Sequence, residues 1–395
     1  VTIGPEPCDS RSVSVRADPC DTVRADPCDT VRPEPCDTVR AEPVEATNGA
    51  QGRLVEGTNG VRGGIPEGRT VIPYQGVVPQ LPAVPDPAFA AWLAKLRNEA
   101  VAKRISPATV EQALTSIERL PVVIERDRTQ AELVLRLDQY LARRVSRKTI
   151  KSAREMAARH RTLLARVGAK YGVPPRIIVA VWGLESNFGQ FTGVRPTIAA
   201  LATLAYDTRR PAFFRGELFD ALRILDRHDI DIASMKGSWA GAMGQPQFMP
   251  SSYLKYAEDF DGDGRRDIWA SPADVFASVA NYLKAHGWTS SRTWGREVRV
   301  SAAAAKRIAT AVGPRTAGCD ASGRATELLP LARWQELGVR LPGNKPLPRA
   351  DLNASLVKAG SKSFLVYENY DAILAYNCAH AYALSVGLLA DRIGS

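Results

Sequence analysis

The sequence predicts a mainly α protein: an N-terminal helical subdomain, a helical core and a small β-containing insertion before the last helix. Three observations predict it. Apolar residues recur at helical spacing from Phe89 to about Gly287; β-rich runs are short and confined to residues 296–367; and Asn369 to Ile393 reads as one closing amphipathic helix.

Residues 1–85 stand apart and are expected to be disordered. From Val15 a unit of eight residues repeats as VRADPCDT, VRADPCDT, VRPEPCDT and VRAEPVEA. A Pro in each unit blocks helix and central strand, and almost no large apolar residue is available to bury. Four of the 6 cysteines, Cys8, Cys20, Cys28 and Cys36, lie in or beside this repeat. No CxxC pair occurs, so zinc is not expected there. No apolar h-region is visible between Val1 and Asp21, so no signal peptide can be read.

From Asp86 the pattern changes. Phe89, Trp92, Leu93 and Leu96 share one helical face. Ser106 and Pro107 form an N-cap and a first helical position, opening a helix that carries Val110, Ala113 and Leu114. The division expected is 1–85 repeat and linker, 86–295 helical subdomain and core, 296–368 α/β insertion, and 369–395 C-terminal helix. Within the insertion, strands are expected at Val298 to Val300 and Phe364 to Tyr367, with a helix near Leu331 to Leu337.

The formal net charge of +10 suits an anionic partner, although GC-rich coding gives the same Arg-rich composition. No Lys/Arg cluster interleaves with aromatics, so nucleic acid is not the expected partner. No run of 18 apolar residues occurs, so no transmembrane helix is expected.

Two segments carry chemistry. In YGVPPRIIVAVWGLESNFGQFTGVRP, Pro174 and Pro175 suit a helix start, and Ile177 to Leu184 is apolar nearly all round, which buries the helix. Glu185 stands at its end, followed by Gly189 and Gly193, which break the helix and allow close backbone approach. Desolvation there should raise its pKa, as a general acid requires. Position alone is equally that of a Glu capping a helix end. The second segment is DFDGDGRRDIWASPAD. It has acids at loop positions 1, 3, 5 and 9 (Asp259, Asp261, Asp263, Asp267), Gly264 at position 6, and the Arg265 backbone carbonyl at position 7. That is the ligand spacing of an EF-hand calcium loop. The twelfth position is Ala270 rather than Glu, and Asp274 is the candidate for the missing ligand a turn later. The other reading is a solvated acidic turn.

WGLESNFG is similar to the ESxxG signature of the lysozyme-like transglycosylases. KGSWAGAMGQPQFMPSSY resembles their GAMG-xx-QFMPS block, and NYLKAHGW and NYDAILAYNCAHAYALSVG look like later blocks of the same enzymes, in the same order. The stretch Phe89 to Gln130 resembles their N-terminal helical subdomain. The chain from Asp86 to Ser395 thus resembles the MltB-like lytic murein transglycosylases. The resemblance implies a lysozyme-like core and a single catalytic acid, Glu185. It places Ser238 and Gln247 in the sugar groove, and Tyr376, Asn377 and Tyr382 facing the acid. Arg209 and Arg210 would meet a stem or lactyl carboxylate, and Tyr140 is a weaker match. It also implies an EF-hand-like structural calcium, no organic cofactor, peptidoglycan glycan strands as partner, and a periplasmic or outer-membrane-associated monomer. Two departures are Cys378, directly after Asn377, and Pro246 in place of a small residue.

The activity implied is cleavage of the β-1,4 bond between N-acetylmuramic acid and N-acetylglucosamine, leaving a 1,6-anhydromuramic acid end. The alternatives are a lysozyme-type hydrolase and a non-catalytic peptidoglycan-binding scaffold, which Gln or Ala at position 185 would favour. An exported enzyme meets oxidising conditions, so Cys319 and Cys378 are expected to pair, two buried thiols being the other reading. On a continuous helix Cys378 would point about 100° away from Asn377.

Overall fold

The computed structural model describes residues 86–129 and 137–394. The repeat, its four cysteines and the rest of residues 1–85 lie outside the described residues.

Proline and short polar residues set the helix starts. Helices α1 (Pro87–Ala102) and α2 (Pro107–Leu114) each carry Pro in the first turn, capped by the Asp86 carboxylate and the Ser106 hydroxyl, which accept from Phe89 N–H and Thr109 N–H. Helices α3 (Pro121–Thr129), α4 (Leu137–Arg144), α5 (Arg147–Arg159) and α6 (Arg161–Tyr171) follow. The left-handed Gly172, at φ 73°, ends α6. Helix α7 (Pro175–Ser186) is buried from Ile177 to its last residue, as its apolar run predicts.

A two-residue strand β1 (Arg195–Pro196) leads into α8 (Thr197–Tyr206) and α9 (Pro211–Asp226), and pairs antiparallel with β2 (Lys236–Gly237). Helices α10 (Pro250–Tyr256) and α11 (Pro272–Ala285) flank the acidic loop. Helices α5, α6, α11 and a C-terminal helix pack around α7, so the candidate acid sits at the centre of the helical core.

The insertion follows. Strand β3 (Gly295–Val298), helix α12 (Ala302–Ala311), strand β4 (Leu329–Pro330), helix α13 (Leu331–Glu336), and strands β5 (Asn353–Ala359) and β6 (Lys362–Val366) form an antiparallel sheet in the order β3-β6-β5-β4 with two helices beside it. Arg296 and Leu356 both oppose Leu365. Val298, Ile308, Leu331, Trp334, Leu356 and Leu365 bury one another in a hydrophobic cluster separate from the main core. The strands start earlier than the residue pattern suggests: β3 ends where the expected strand begins, and β6 begins two residues sooner. Ladder pairing with β6, not side-chain type, fixes those limits.

The C-terminal segment corrects the sequence reading. It is not one helix but two, α14 (Glu368–Tyr376) and α15 (His380–Ile393), bent by 117°. Asn377 (φ −149°, ψ 118°) and Ala379 (φ −143°, ψ 125°) are extended, so Asn377-Cys378-Ala379 is a break. The Tyr370 hydroxyl lies 3.0 Å from His380 Nδ1 across it. Residues 377–379 contain neither Pro nor Gly, which hides the boundary. The argument that placed Cys378 by helical rotation therefore does not apply.

Cys319 and Cys378 are bonded, with Cα atoms 6.1 Å apart. The bridge ties the insertion to the break, beside a two-pronged ion pair of Arg315 with Asp371 at 2.8 Å. Among the described residues no single helix is long and apolar enough to cross a membrane. The bridge closes a loop of 59 residues, which the chain-entropy model values at about 4 kcal/mol. Replacing both cysteines by Ser should lower Tm by about 6 °C in scanning calorimetry. An unchanged Tm would show that the bridge does not stabilise the native state.

Candidate active site

Four segments meet at the C-terminal end of α7. The first is that end itself. Glu185 is 4% exposed, and the Ser186 hydroxyl beside it donates to Trp182 O at 3.1 Å and accepts from Gly189 N–H at 3.0 Å. The chain then turns through two left-handed non-glycine residues, Asn187 at φ 49° and Phe188 at φ 60°. Such residues cost on the order of 1 kcal/mol or more each and persist where the surroundings impose them. Here Phe188 folds back over Gly183, where a Cβ would sit 2.5 Å from its ring. Trp182 is held on three sides, its ring centre 5.0 Å from Phe276, 5.6 Å from Phe188 and 5.8 Å from His160, whose imidazole pKa is lowered by burial.

The second segment is the Ser238–Phe248 loop. Trp182 Nε1 donates to Gln245 Oε1 at 2.7 Å, and Gln245 Nε2 donates to Trp269 O at 2.7 Å. Gln247, left-handed at φ 52°, donates from Nε2 to Gly244 O at 2.8 Å and to Thr192 O at 3.4 Å. The third segment is the α14–α15 break: the Tyr376 hydroxyl donates to Pro246 O at 2.7 Å, and the Tyr382 ring stacks on Tyr376 at 6.3 Å. Helix α15, carrying Tyr382, packs directly on α7. Asn377 is half-buried at the break. Helix α4 is the fourth segment. It packs on α15 and carries a half-buried Tyr140, with the Arg144 guanidinium 5.8 Å from its ring centre.

The structure thus gathers Gln247, Tyr376, Asn377 and Tyr382 about the α7 end that holds Glu185. It places three other expected residues differently. Ser238 is 2% exposed and its hydroxyl accepts from Ala240 and Ala242 N–H at 3.3 and 3.1 Å, so it shapes the loop from inside. Arg209 and Arg210 both engage Asp127 of α3, at 2.9 and 2.5 Å. Asp127 is only 3% exposed, and a buried carboxylate needs such compensation. Residue type alone gave no sign of that partner, because Asp127 lies 82 positions upstream of Arg209. Gln245 and Arg144 were missed for the same reason: each acts on a segment far away in sequence.

In the acidic loop, carboxylate oxygens of Asp259, Asp261 and Asp263 all lie within 4.8 Å of one another. Gly262 and Gly264, at φ 81° and 89°, let their N–H groups turn inward onto Asp259 at 2.7 and 2.9 Å. Asp267 accepts instead from Trp269 and Ala270 N–H at 2.9 and 2.8 Å. Asp274 is not in the cluster. It is fully buried and bonds both oxygens to backbone, Phe260 N–H and Asp267 N–H, each at 2.8 Å. Burial, with the charges of Asp261 and Asp259 adding to it, pushes its carboxyl up to about 6. Asp274 therefore clasps the base of the loop.

A buried helix ending in one carboxylate, packed against a Gly-rich loop and a tyrosine-bearing break, is the architecture of a lysozyme-like core. Residues 88–391 match the family model of the transglycosylase SLT domain, and the chain belongs to that family. It is 49% identical over 126 residues to membrane-bound lytic murein transglycosylase B of Escherichia coli K12, a match covering 32% of this chain and about a third (35%) of that relative's length. The solved structure of SltB3 from Pseudomonas aeruginosa with NAG-anhNAM-pentapeptide is 40% identical, with a TM-score of 0.71 over 78% of this chain and 80% of that one. The Escherichia coli lytic transglycosylase Slt35, solved with calcium, is 28% identical, with a TM-score of 0.64 over 76% of this chain and 92% of that one.

Close backbone approach holds the site's roof. At Gly193, φ 98°, a Cβ would lie 2.0 Å from the Gly237 carbonyl carbon, whereas at Gly343, φ 75°, it would meet nothing within 4 Å. Gly193→Ala should therefore lower unfolding stability by about 3 kcal/mol in urea titration and Gly343→Ala by about 1 kcal/mol. Equal losses would mean that the crowding at Gly193 contributes nothing.

Proposed function

We propose that this chain is a lytic transglycosylase acting on peptidoglycan, with Glu185 as its acid and base. The carrying observation concerns buried carboxylates. Among the described residues four are buried: Asp127, Glu185, Glu217 and Asp274. Asp127 pairs with two arginines, and Asp274 clasps backbone. Glu217 accepts from the Ser251 hydroxyl and N–H at 2.7 and 2.9 Å. Of the four, only Glu185 lies at the C-terminal end of α7, where Arg144, Gln245 and the turn at Asn187 converge, so a two-carboxylate scheme has no second buried partner there.

One group must then serve twice. Protonated Glu185 gives its proton to the glycosidic oxygen as that bond breaks. The sugar's own 2-acetamido oxygen takes the place of a protein nucleophile at C1. The Glu185 carboxylate then removes the C6 hydroxyl proton, C6–O closes on C1, and the acetamido group leaves. The product is a 1,6-anhydro sugar, no water is consumed, and Glu185 ends protonated as it began. Gln247, Tyr376, Asn377 and Tyr382 would orient the sugar, and their support by backbone bonds and stacking is a form of preorganisation. Arg209 and Arg210, both paired with Asp127, would meet a stem carboxylate through donors the pair leaves over, Arg209 being the more exposed. The work falls outside the cytoplasm, in the periplasm or at the outer membrane.

Glu185→Gln should abolish release of anhydromuropeptides from purified sacculi, read by mass spectrometry, and leave Tm within about 2 °C of wild type. Products carrying a reducing end instead would make the wild-type protein a hydrolase. Activity above a few per cent in the variant would remove Glu185 from the role.

Calcium suits the acidic loop. Three carboxylates crowd one short turn, and a divalent ion would relieve their repulsion while the Arg265 carbonyl adds a neutral oxygen. Asp259, Asp261 and Asp263 would hold it, with Asp267 and Asp274 bracing the loop, and its contribution is structural. Calcium at a hundredfold excess over its Kd should stabilise the fold by about 2.7 kcal/mol, raising Tm. Asp261→Ala with Asp263→Ala should erase that response. Identical melting in calcium and in chelator would leave the loop a solvated turn.

A further inference from the structure

The last turn of a helix leaves carbonyls that the helix cannot satisfy. In α7 most are met locally: Trp182 O receives the Ser186 hydroxyl, Gly183 O receives Asn187 N–H at 3.1 Å, and Ser186 O receives Phe191 N–H at 2.9 Å. Leu184 O is different. It receives Arg144 Nη2 at 2.5 Å, from a residue 40 positions earlier on α4. That carbonyl belongs to the peptide unit whose nitrogen is that of Glu185, so the bond fixes the plane from which the Glu185 side chain departs.

We propose that Arg144 is a positioning residue for Glu185, acting through the Leu184–Glu185 peptide; this rests on the role given to Glu185 above. Three observations converge. The bond spans two helices that do not follow one another, so it reports tertiary placement of α7 rather than its local winding. Arg144 is itself located: its guanidinium lies over the Tyr140 ring, and α4 packs on α15, which packs on α7. A cation at a helix C-terminus also opposes the partial negative charge gathered there. A planar guanidinium delivers a donor at fixed distance and angle, as preorganisation of an acid demands. Arg144 touches no reacting atom in this scheme; it acts through Glu185.

The test compares Arg144→Met, which keeps the apolar stem and loses the donor, with Arg144→Lys, which keeps a charged donor. Anhydromuropeptide release is followed for kcat and KM, alongside Tm and hydrogen exchange of the peptide covering residues 182–189. Arg144→Met is expected to lower kcat about tenfold, with KM within twofold of wild type, Tm within 2 °C and faster exchange at 182–189. Arg144→Lys is expected to recover at least half of the lost rate on a logarithmic scale. An unchanged kcat overturns the proposal. A joint loss of kcat, KM and Tm that Lys does not rescue also overturns it, since that marks a plain cap. If the wild-type protein releases no anhydro product, the functional reading above has failed, and exchange alone decides: unchanged protection at 182–189 in Arg144→Met overturns the proposal, and lost protection upholds the restraint on that peptide.

Discussion

The side-chain amide of Gln245 is where the site's separate pieces become one object. Its oxygen accepts from the Trp182 indole, one turn before Glu185, and its nitrogen donates to Trp269 O at the far side of the acidic loop. It also presses against Gly189, where an added Cβ would come within 2.5 Å of Oε1. A residue only 8% exposed thus spans the catalytic helix, the turn behind it and the ion-binding candidate. An amide has one acceptor end and one donor end, and both are committed here, so the orientation of the group is fixed by its partners. Shorter Asn could not bridge both, and Glu could not donate to Trp269 O while ionised.

Such a bridge clarifies how the acidic loop relates to the cleft. Loop and cleft share no proposed chemistry, yet they are one hydrogen-bonded step apart through Gln245. The clasp made by Asp274 keeps the loop's two ends together from the helix side. Order in the loop therefore supports order at Trp269 O, and through it the indole that backs the acid. The coupling is mechanical and runs through named bonds rather than through the field of an ion.

Reading from residues worked where the signal is local. The buried course of α7, its proline start and the Ser106 cap of α2 are all legible, because each is dictated by neighbours within a few positions, whereas α7 ends at left-handed Asn187 rather than at the glycines that follow. What was not legible depends on partners distant in the chain. Arg209 and Arg210 look like ligand-seeking cations until the buried Asp127 is known. Ser238 looks like a groove hydroxyl until its own loop folds around it. Asp274 is a ligand candidate by spacing, and its bonds to two backbone amides could not be read from it. The bend at Asn377 was missed for a different reason: residues 377–379 contain neither Pro nor Gly, the residues that mark a break locally.

The insertion begins and ends at one point. Tyr367 N–H donates to Trp294 O at 2.9 Å, and Gly295 lies opposite Val366. Everything between them leaves the helical core and comes back through a doorway one strand pair wide. Chain passing through such a doorway can be lengthened, shortened or exchanged without moving α14, because the geometry of departure and return is set by the ladder alone. The disulfide and the Arg315–Asp371 pair limit that freedom, since they moor the excursion to the bend carrying Asn377. A change of length here must therefore leave two anchorages in place, the ladder at its base and the bend at its side.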